Sequence, residues 1–280
     1  MKDFLLKIIR QRFCLKKRNI LKEIVNIEFN DISKKYLELN CFNSNDLWLF
    51  IDERNEHFKG FFIKDAQNED LNFLMIDSIS ESKSKSSGYR FDTIYSFGKN
   101  LVIDRKKNWD FESCIKHIEE EYKTKSCNIE ENMKMSLQLC HHKWNDRYEF
   151  NNFSGSHHLA VANFIATNNG YEYTFNCDIE SISINKDVAN KLLDNYEMFV
   201  FNTSISILKN IFNEDGTEII KIQDEHIMVL FDKDKSKNKG YINLLKLIDK
   251  KYTLYFNEYL ESRLKYQDTY LKKKAINGDN

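Results

Sequence analysis

The sequence predicts an α+β fold, with a mixed or antiparallel sheet, flanking helices and a long C-terminal helix. Three observations predict it. Apolar runs of strand length are interspersed with segments that repeat at helical spacing. The strand-like runs are separated by Asn, Asp, Gly and Ser clusters that make turns. The closing stretch, about Tyr241–Lys274, is rich in Leu, Ile and aromatic residues and reads as one helix.

The elements follow in order. Residues 2–25 carry Phe4, Leu5, Ile8, Ile9 and Phe13 on one face and basic residues elsewhere, an amphipathic basic helix. Such a helix either packs on the body of the protein or meets anionic lipid or nucleic acid. Leu47–Asp52, Phe58–Lys64 and Leu71–Asp77 read as an antiparallel meander. Residues 78–90, SISESKSKSSGYR, are too polar to pack and read as a loop or linker. Thr93–Phe97 and Asn100–Asp104, split by Gly98-Lys99, read as a tight hairpin or bulge.

Residues 110–123 read as a helix capped by Asp110, with Phe111, Cys114, Ile115 and Ile118 on its inner face. Residues 128–142 read as another, with Asn128 as cap and Ile129, Met133, Leu137 and Leu139 inward. A strand over Arg147–Phe153, a turn at Ser154–Ser156 and a helix over His157–Ala166 form the centre. Strand-like runs at Tyr171–Phe175, Ile179–Ile184 and Met198–Asn202 surround helices at Lys186–Leu193 and Thr203–Phe212. Glu218–Gln223 and His226–Phe231 form a hairpin about Asp224-Glu225. Three regions are expected: 1–90, helix, meander and Ser/Lys-rich loop; 91–235, a central α+β region; and 236–280, the C-terminal helix and tail.

Composition narrows the function. Lys+Arg number 42 and Asp+Glu 43, for a net charge of -1, so no whole-protein field draws in a polyanion. A role in coating DNA is disfavoured, though a local basic patch is compatible with the count. The chain has no proline, so its turns rest on Asn, Asp, Gly and Ser. Its 6 cysteines are scattered without a C-x-x-C pair, which suits reduced thiols and a cytoplasmic location. No run approaches the roughly 20 apolar residues of a membrane span, and no secretory signal is visible.

The chemistry concentrates in NFSGSHHLA, residues 152–160. The first turn of a helix has backbone N–H groups without intrahelical partners, and the helix dipole adds positive charge there. Gly155 lets a phosphate approach, while Ser154 and Ser156 can cap the helix or donate a hydroxyl. His157 and His158 can donate N–H groups or carry protons. On the incoming strand Arg147 and Glu149 share a face: Arg147 would add charge, and Glu149 would hold magnesium or act as a base. The expectation is binding of a nucleotide or other phosphorylated ligand, with magnesium accompanying a nucleotide and phosphate hydrolysis or transfer as the chemistry. The ordinary alternative is a helix cap whose histidines bond carbonyls or face solvent.

This strand, G-x-x-H turn, small-residue helix, Asn/Gly turn and strand, over Asp146–Ile184, resembles the central motif of the ParB/sulfiredoxin-like fold. The resemblance implies that Gly155 matches the motif glycine and His158 the motif arginine, in a site for nucleotide phosphates with magnesium. Ser156 falls where sulfiredoxins carry a reactive cysteine, which argues against sulfinic-acid reduction. Histidine in place of arginine loses the permanent charge and fork geometry. No helix-turn-helix pattern makes the chain a partition protein.

Two further readings stand beside this one. Zinc held by His141/His142 and His157/His158 is the lesser, because the pairs lack i,i+4 or C-x-x-C spacing. The other is a non-catalytic module that binds a protein partner or a second copy through its C-terminal helix, with Leu244, Leu247, Ile248, Leu254, Phe256, Tyr259, Leu260 and Leu264. No P-loop, dinucleotide-binding G-x-G-x-x-G or G-x-S-x-G motif occurs.

Overall fold

The computed structural model describes residues 47–80, 91–105, 108–126, 137–151, 155–202, 205–212, 215–222, 226–235, 239–246 and 253–277. The expected basic helix over 2–25, most of the Ser/Lys stretch, Ser154 and the Asp224-Glu225 tip lie outside them. The described fold is α+β, and its residues divide into two compact units that interleave along the chain.

One unit holds Gly60–Lys186 together with the chain from Arg263 onward. Its sheet has strands β1 (Phe62–Asn72), β2 (Ile76–Ile79), β3 (Leu137–His142), β4 (Arg147–Phe150) and β5 (Thr174–Ile184), in the order β1-β5-β3-β4-β2. The β1/β5 and β3/β4 pairs are antiparallel, and β3/β5 and β2/β4 are parallel. Register brings Leu139 opposite both Phe150 and Ile179. Because side chains alternate, Leu137, Leu139, Tyr148, Phe150, Cys177 and Ile179 share one face. That face packs on three helices, α1 (Ile94–Arg105), α2 (Phe111–Ser126) and α3 (Ser156–Asn169), in one buried cluster. The opposite face carries the row Glu149, Cys140, Glu180 on neighbouring strands.

Local chemistry explains the helices. Ser113 N donates to Asp110 Oδ1 at 2.8 Å, the cap expected for α2. Leu159, Ala160, Val161, Ala162 and Ala166 bury α3 on several sides. Gly170 ends α3 at φ 70°, with its N–H donating to Ala166 O, as a left-handed cap does.

Four expectations are corrected. The expected hairpin over 93–104 is instead the helix α1 (Ile94–Arg105), with Ile94, Phe97 and Leu101 buried at i, i+3 and i+7. Gly98 therefore marks a close helix crossing, where an added Cβ would lie 1.9 Å from Ala160 O. Residues 137–142 are strand β3, because Leu137 and Leu139 alternate onto the helix-covered face. The meander becomes one long strand, β1, and a short one, β2. These lie at opposite edges of the sheet, and Leu47–Leu49 is a 3-10 turn. The single closing helix is α6 (Lys239–Leu245), strand β9 (Thr253–Tyr255) and the 22-residue α7 (Phe256–Asn277).

The other unit holds Leu49–Lys59 and Asp187–Ser262. It contains nearly all of α4 (Lys186–Asn195), α5 (Ile205–Ile211) and an antiparallel sheet of β6 (Tyr196–Asn202), β7 (Thr217–Lys221), β8 (His226–Asp232) and β9, ordered β7-β8-β6-β9. Met198–Phe201 and Ile227–Phe231 are buried throughout, so β6 and β8 read as unbroken apolar runs. Asn257 fastens the start of α7 to β6: its Oδ1 accepts from Met198 N at 2.7 Å and its Nδ2 donates to Tyr196 O at 2.8 Å. Phe256 and Leu260, two residues expected to meet a partner, are fully buried. Among the described residues no helix is long and apolar enough to cross a membrane.

Candidate functional site

The candidate site is built where β4 leaves the sheet and α3 begins. Gly155 stands at the N-cap with φ 90° and ψ 1° and makes no side-chain capping bond. This left-handed backbone costs an L-residue about 1–2 kcal/mol, which accounts for glycine there. Space is not the reason, since a Cβ would meet only Ile118 Cγ1, at 3.7 Å. Gly155 O accepts from Leu159 N at 2.9 Å and starts the helical ladder.

The next three residues point to different surroundings. Ser156 is 7% exposed, so its hydroxyl belongs to the protein interior. His157 meets Phe97 of α1 edge-on, with ring centroids 5.7 Å apart. His158 turns to α2, where its ring lies 3.7 Å from that of His117 at 34° and 5.2 Å from that of Trp109 at 73°. Successive helical side chains diverge by about 100°, which divides the two adjacent histidines between two neighbours. His117 and His158 are both partly exposed. His117 Nε2 also lies 3.9 Å from Glu121 Oε1, one helical turn on.

The structure thus gathers Gly155, His158, His117 and Trp109. Neither His117 nor Trp109 stands out in the sequence. The only signal for His117 was its place beside Ile118 on the flank of an amphipathic helix, and the contact with His158 spans 41 positions.

Arg147 and Glu149 are not part of this cluster. They alternate with Tyr148 and Phe150, so they project from the sheet face opposite α3. Arg147 Nη2 donates to Asp77 O at 3.1 Å, and Asp77 Oδ2 accepts from Tyr148 N at 3.0 Å. Burial raises the Asp77 carboxyl above its ordinary pKa, with the Tyr148 bond opposing. Glu149 is buried, with Oε1 at 4.0 Å from His142 Nε2. The expected roles for these two, supplying phosphate charge and acting as base or magnesium ligand at the turn, are therefore corrected. The pleat of β4 aims both away from it.

The zinc candidates are spread as well. His141 stacks on Tyr148 at 4.1 Å and 4°, and its Nε2 lies 3.0 Å from Asp146 Oδ1. Burial holds its pKa below the usual imidazole value, with the Asp146 bond working against the shift. His142 is fully buried between Trp48 and Trp144. Neither of its ring nitrogens has a hydrogen-bond partner among the described residues. Among those residues no three His, Cys, Asp or Glu side chains gather as a metal site.

What the gathered residues can do follows from their chemistry. A helix N-terminus favours an anion, a side-chain-free cap lets it approach, and imidazoles donate N–H groups to its oxygens. The indole beside them offers a flat face for an aromatic group.

A protein-family model described as a family of unknown function (DUF6685) matches residues 67–212, and the chain belongs to that family. No curated protein and no solved structure matches the chain.

Proposed function

We propose that this member of the family binds a phosphorylated small molecule, a nucleotide by preference, at the N-terminus of α3. The observation that carries this is the pairing of His158 with His117, 3.7 Å apart, next to a left-handed glycine cap. The phosphate would lie over Gly155 on the positive end of the α3 dipole and accept from the two imidazoles. Trp109, against His158, would stack on the base. The succession β4, Gly155, α3, Gly170, β5 is the order that the ParB/sulfiredoxin-like resemblance requires, and it supports this use of the turn.

The proposal is one of binding. With Glu149 on the other sheet face, magnesium enters as the nucleotide's own counter-ion. Among the described residues Cys114, Cys140 and Cys177 are buried and form no disulfide, which supports a reducing compartment, the cytoplasm.

The test is calorimetric titration of ATP, ADP and inorganic phosphate, with and without magnesium, into wild type, His158→Ala and His117→Ala. A hydrogen bond to a charged group contributes about 1.5–3 kcal/mol, so each variant should lose roughly tenfold or more in affinity. No binding by wild type, or equal binding by all three, would contradict the proposal.

A further inference from the structure

The far end of α3 opens on a second feature. A cleft of about 870 Å³ is lined by α2 residues from Phe111 to Glu119 and by Ile165 and Gly170–Tyr173. Its apolar part is aromatic: the Phe111 ring lies 5.3 Å from that of Tyr171 and 6.4 Å from that of Tyr173. Tyr171 is 46% exposed, so its ring is open to solvent.

The charge around these rings is one-sided. Glu112, Glu119 and Glu172 line the cleft, as does Asp110, whose carboxylate is already engaged by Ser113 N at the start of α2. The cationic lining residue, Lys116, lies 3.7 Å from Glu120. Glu112 and Glu172 form no ion pair among the described residues. The C-terminus of α3, ending at Gly170, adds the negative end of its dipole. Tyr173 donates to Glu119 Oε1 at 2.5 Å, and that bond leads burial in pushing the phenol up to about 12, so the phenol stays a donor.

We propose that this cleft binds an organic ammonium cation, held by the faces of Phe111, Tyr171 and Tyr173 and neutralised by Glu112, Glu119 and Glu172. Ring faces are negative and attract cations, most strongly when water is partly excluded. An anion would meet three carboxylates. A purely apolar ligand would leave those carboxylates without counter-charge. The cation therefore fits the walls on both counts, and the site is independent of the anion reading at the other end of the helix.

The test uses the full chain. Tetramethylammonium and spermidine are titrated separately against NaCl-matched controls and followed through the Tyr ring resonances. Wild type should bind both saturably. Tyr171→Ala, at an exposed position that leaves the fold intact, should weaken tetramethylammonium about fivefold. Glu112→Gln with Glu172→Gln should weaken spermidine about tenfold. The proposal is overturned if wild type responds no more than to NaCl. It is overturned equally if Tyr171→Ala binds tetramethylammonium as wild type does, because the attraction would then be that of any acidic surface.

Discussion

His117 and His158 face each other across α2 and α3 with ring centroids 3.7 Å apart. The contact fixes the direction of the two helices. His117 lies in the second turn of α2 and meets the first turn of α3, while Phe111 at the start of α2 meets Tyr171 just beyond the end of α3. The helices therefore run antiparallel, and α2 visits both poles of the α3 dipole. One pole carries imidazoles and a bare glycine, the other aromatic rings and carboxylates. The anion site is proposed at the first pole and the cation site, on separate residues, at the second.

The close crossing of α1 on α3 depends on Gly98. In a free helix alanine is favoured over glycine by about 1 kcal/mol. Here the new Cβ would lie 1.9 Å from Ala160 O and 2.9 Å from Phe164 Cβ, neither of which can yield without moving a helix. The clash outweighs the propensity, and Gly98→Ala should destabilise the protein by about 3 kcal/mol. Urea denaturation checks it: an unchanged or raised midpoint would contradict the crossing.

Gln267 on α7 closes the end of β5. It is 2% exposed, its Oε1 accepts from Ile184 N at 2.8 Å and its Nε2 donates to Ile184 O at 3.1 Å. Gln267→Met keeps the length of the side chain but strips both backbone groups of their partner. A buried polar group left unpaired costs about 1–3 kcal/mol, so the variant should lose roughly 2–4 kcal/mol. A loss below about 1 kcal/mol, measured by urea denaturation, would show that these bonds are replaced.

His141 gives the fold a pH dependence. Desolvation lowers its pKa from the ordinary 6.5, and the Asp146 bond only partly offsets this. As pH falls below 6.5 the unfolded chain takes up this proton first, so stability drops until the folded value is passed. His141→Phe keeps a ring over Tyr148 and removes the titration. The fall in urea midpoint from about pH 7.5 to about pH 5.5 should be smaller in the variant than in wild type. Equal falls would assign the pH dependence to other groups.

The legible parts of the sequence were those governed by local chemistry. Asp110 as a cap, Gly170 as a stop, the apolar helix between Gly155 and Gly170 and the hairpin of β7 with β8 could all be read from neighbours in the chain. The misread parts were decided by distant packing. Gly98 looks like a turn until Ala160 is known to press against it. Leu137 and Leu139 fit a helix with Met133 as well as they fit a strand, and pairing with β4 and β5 decides. The C-terminal segment keeps helical spacing through Leu254, yet Thr253–Tyr255 pairs with β6 instead. At the site, Gly155 and the diverging histidines were visible, while His117 comes from another helix and the facing of Arg147 and Glu149 depends on which side of the sheet α3 covers.

An anion held between the imidazoles at the start of α3 would register in proton NMR of the histidine rings during addition of inorganic phosphate. The His117 and His158 resonances should move together and saturably, while that of buried His142 stays still. Ring resonances of His117 and His158 that move no more than that of His142, or not at all, would contradict it.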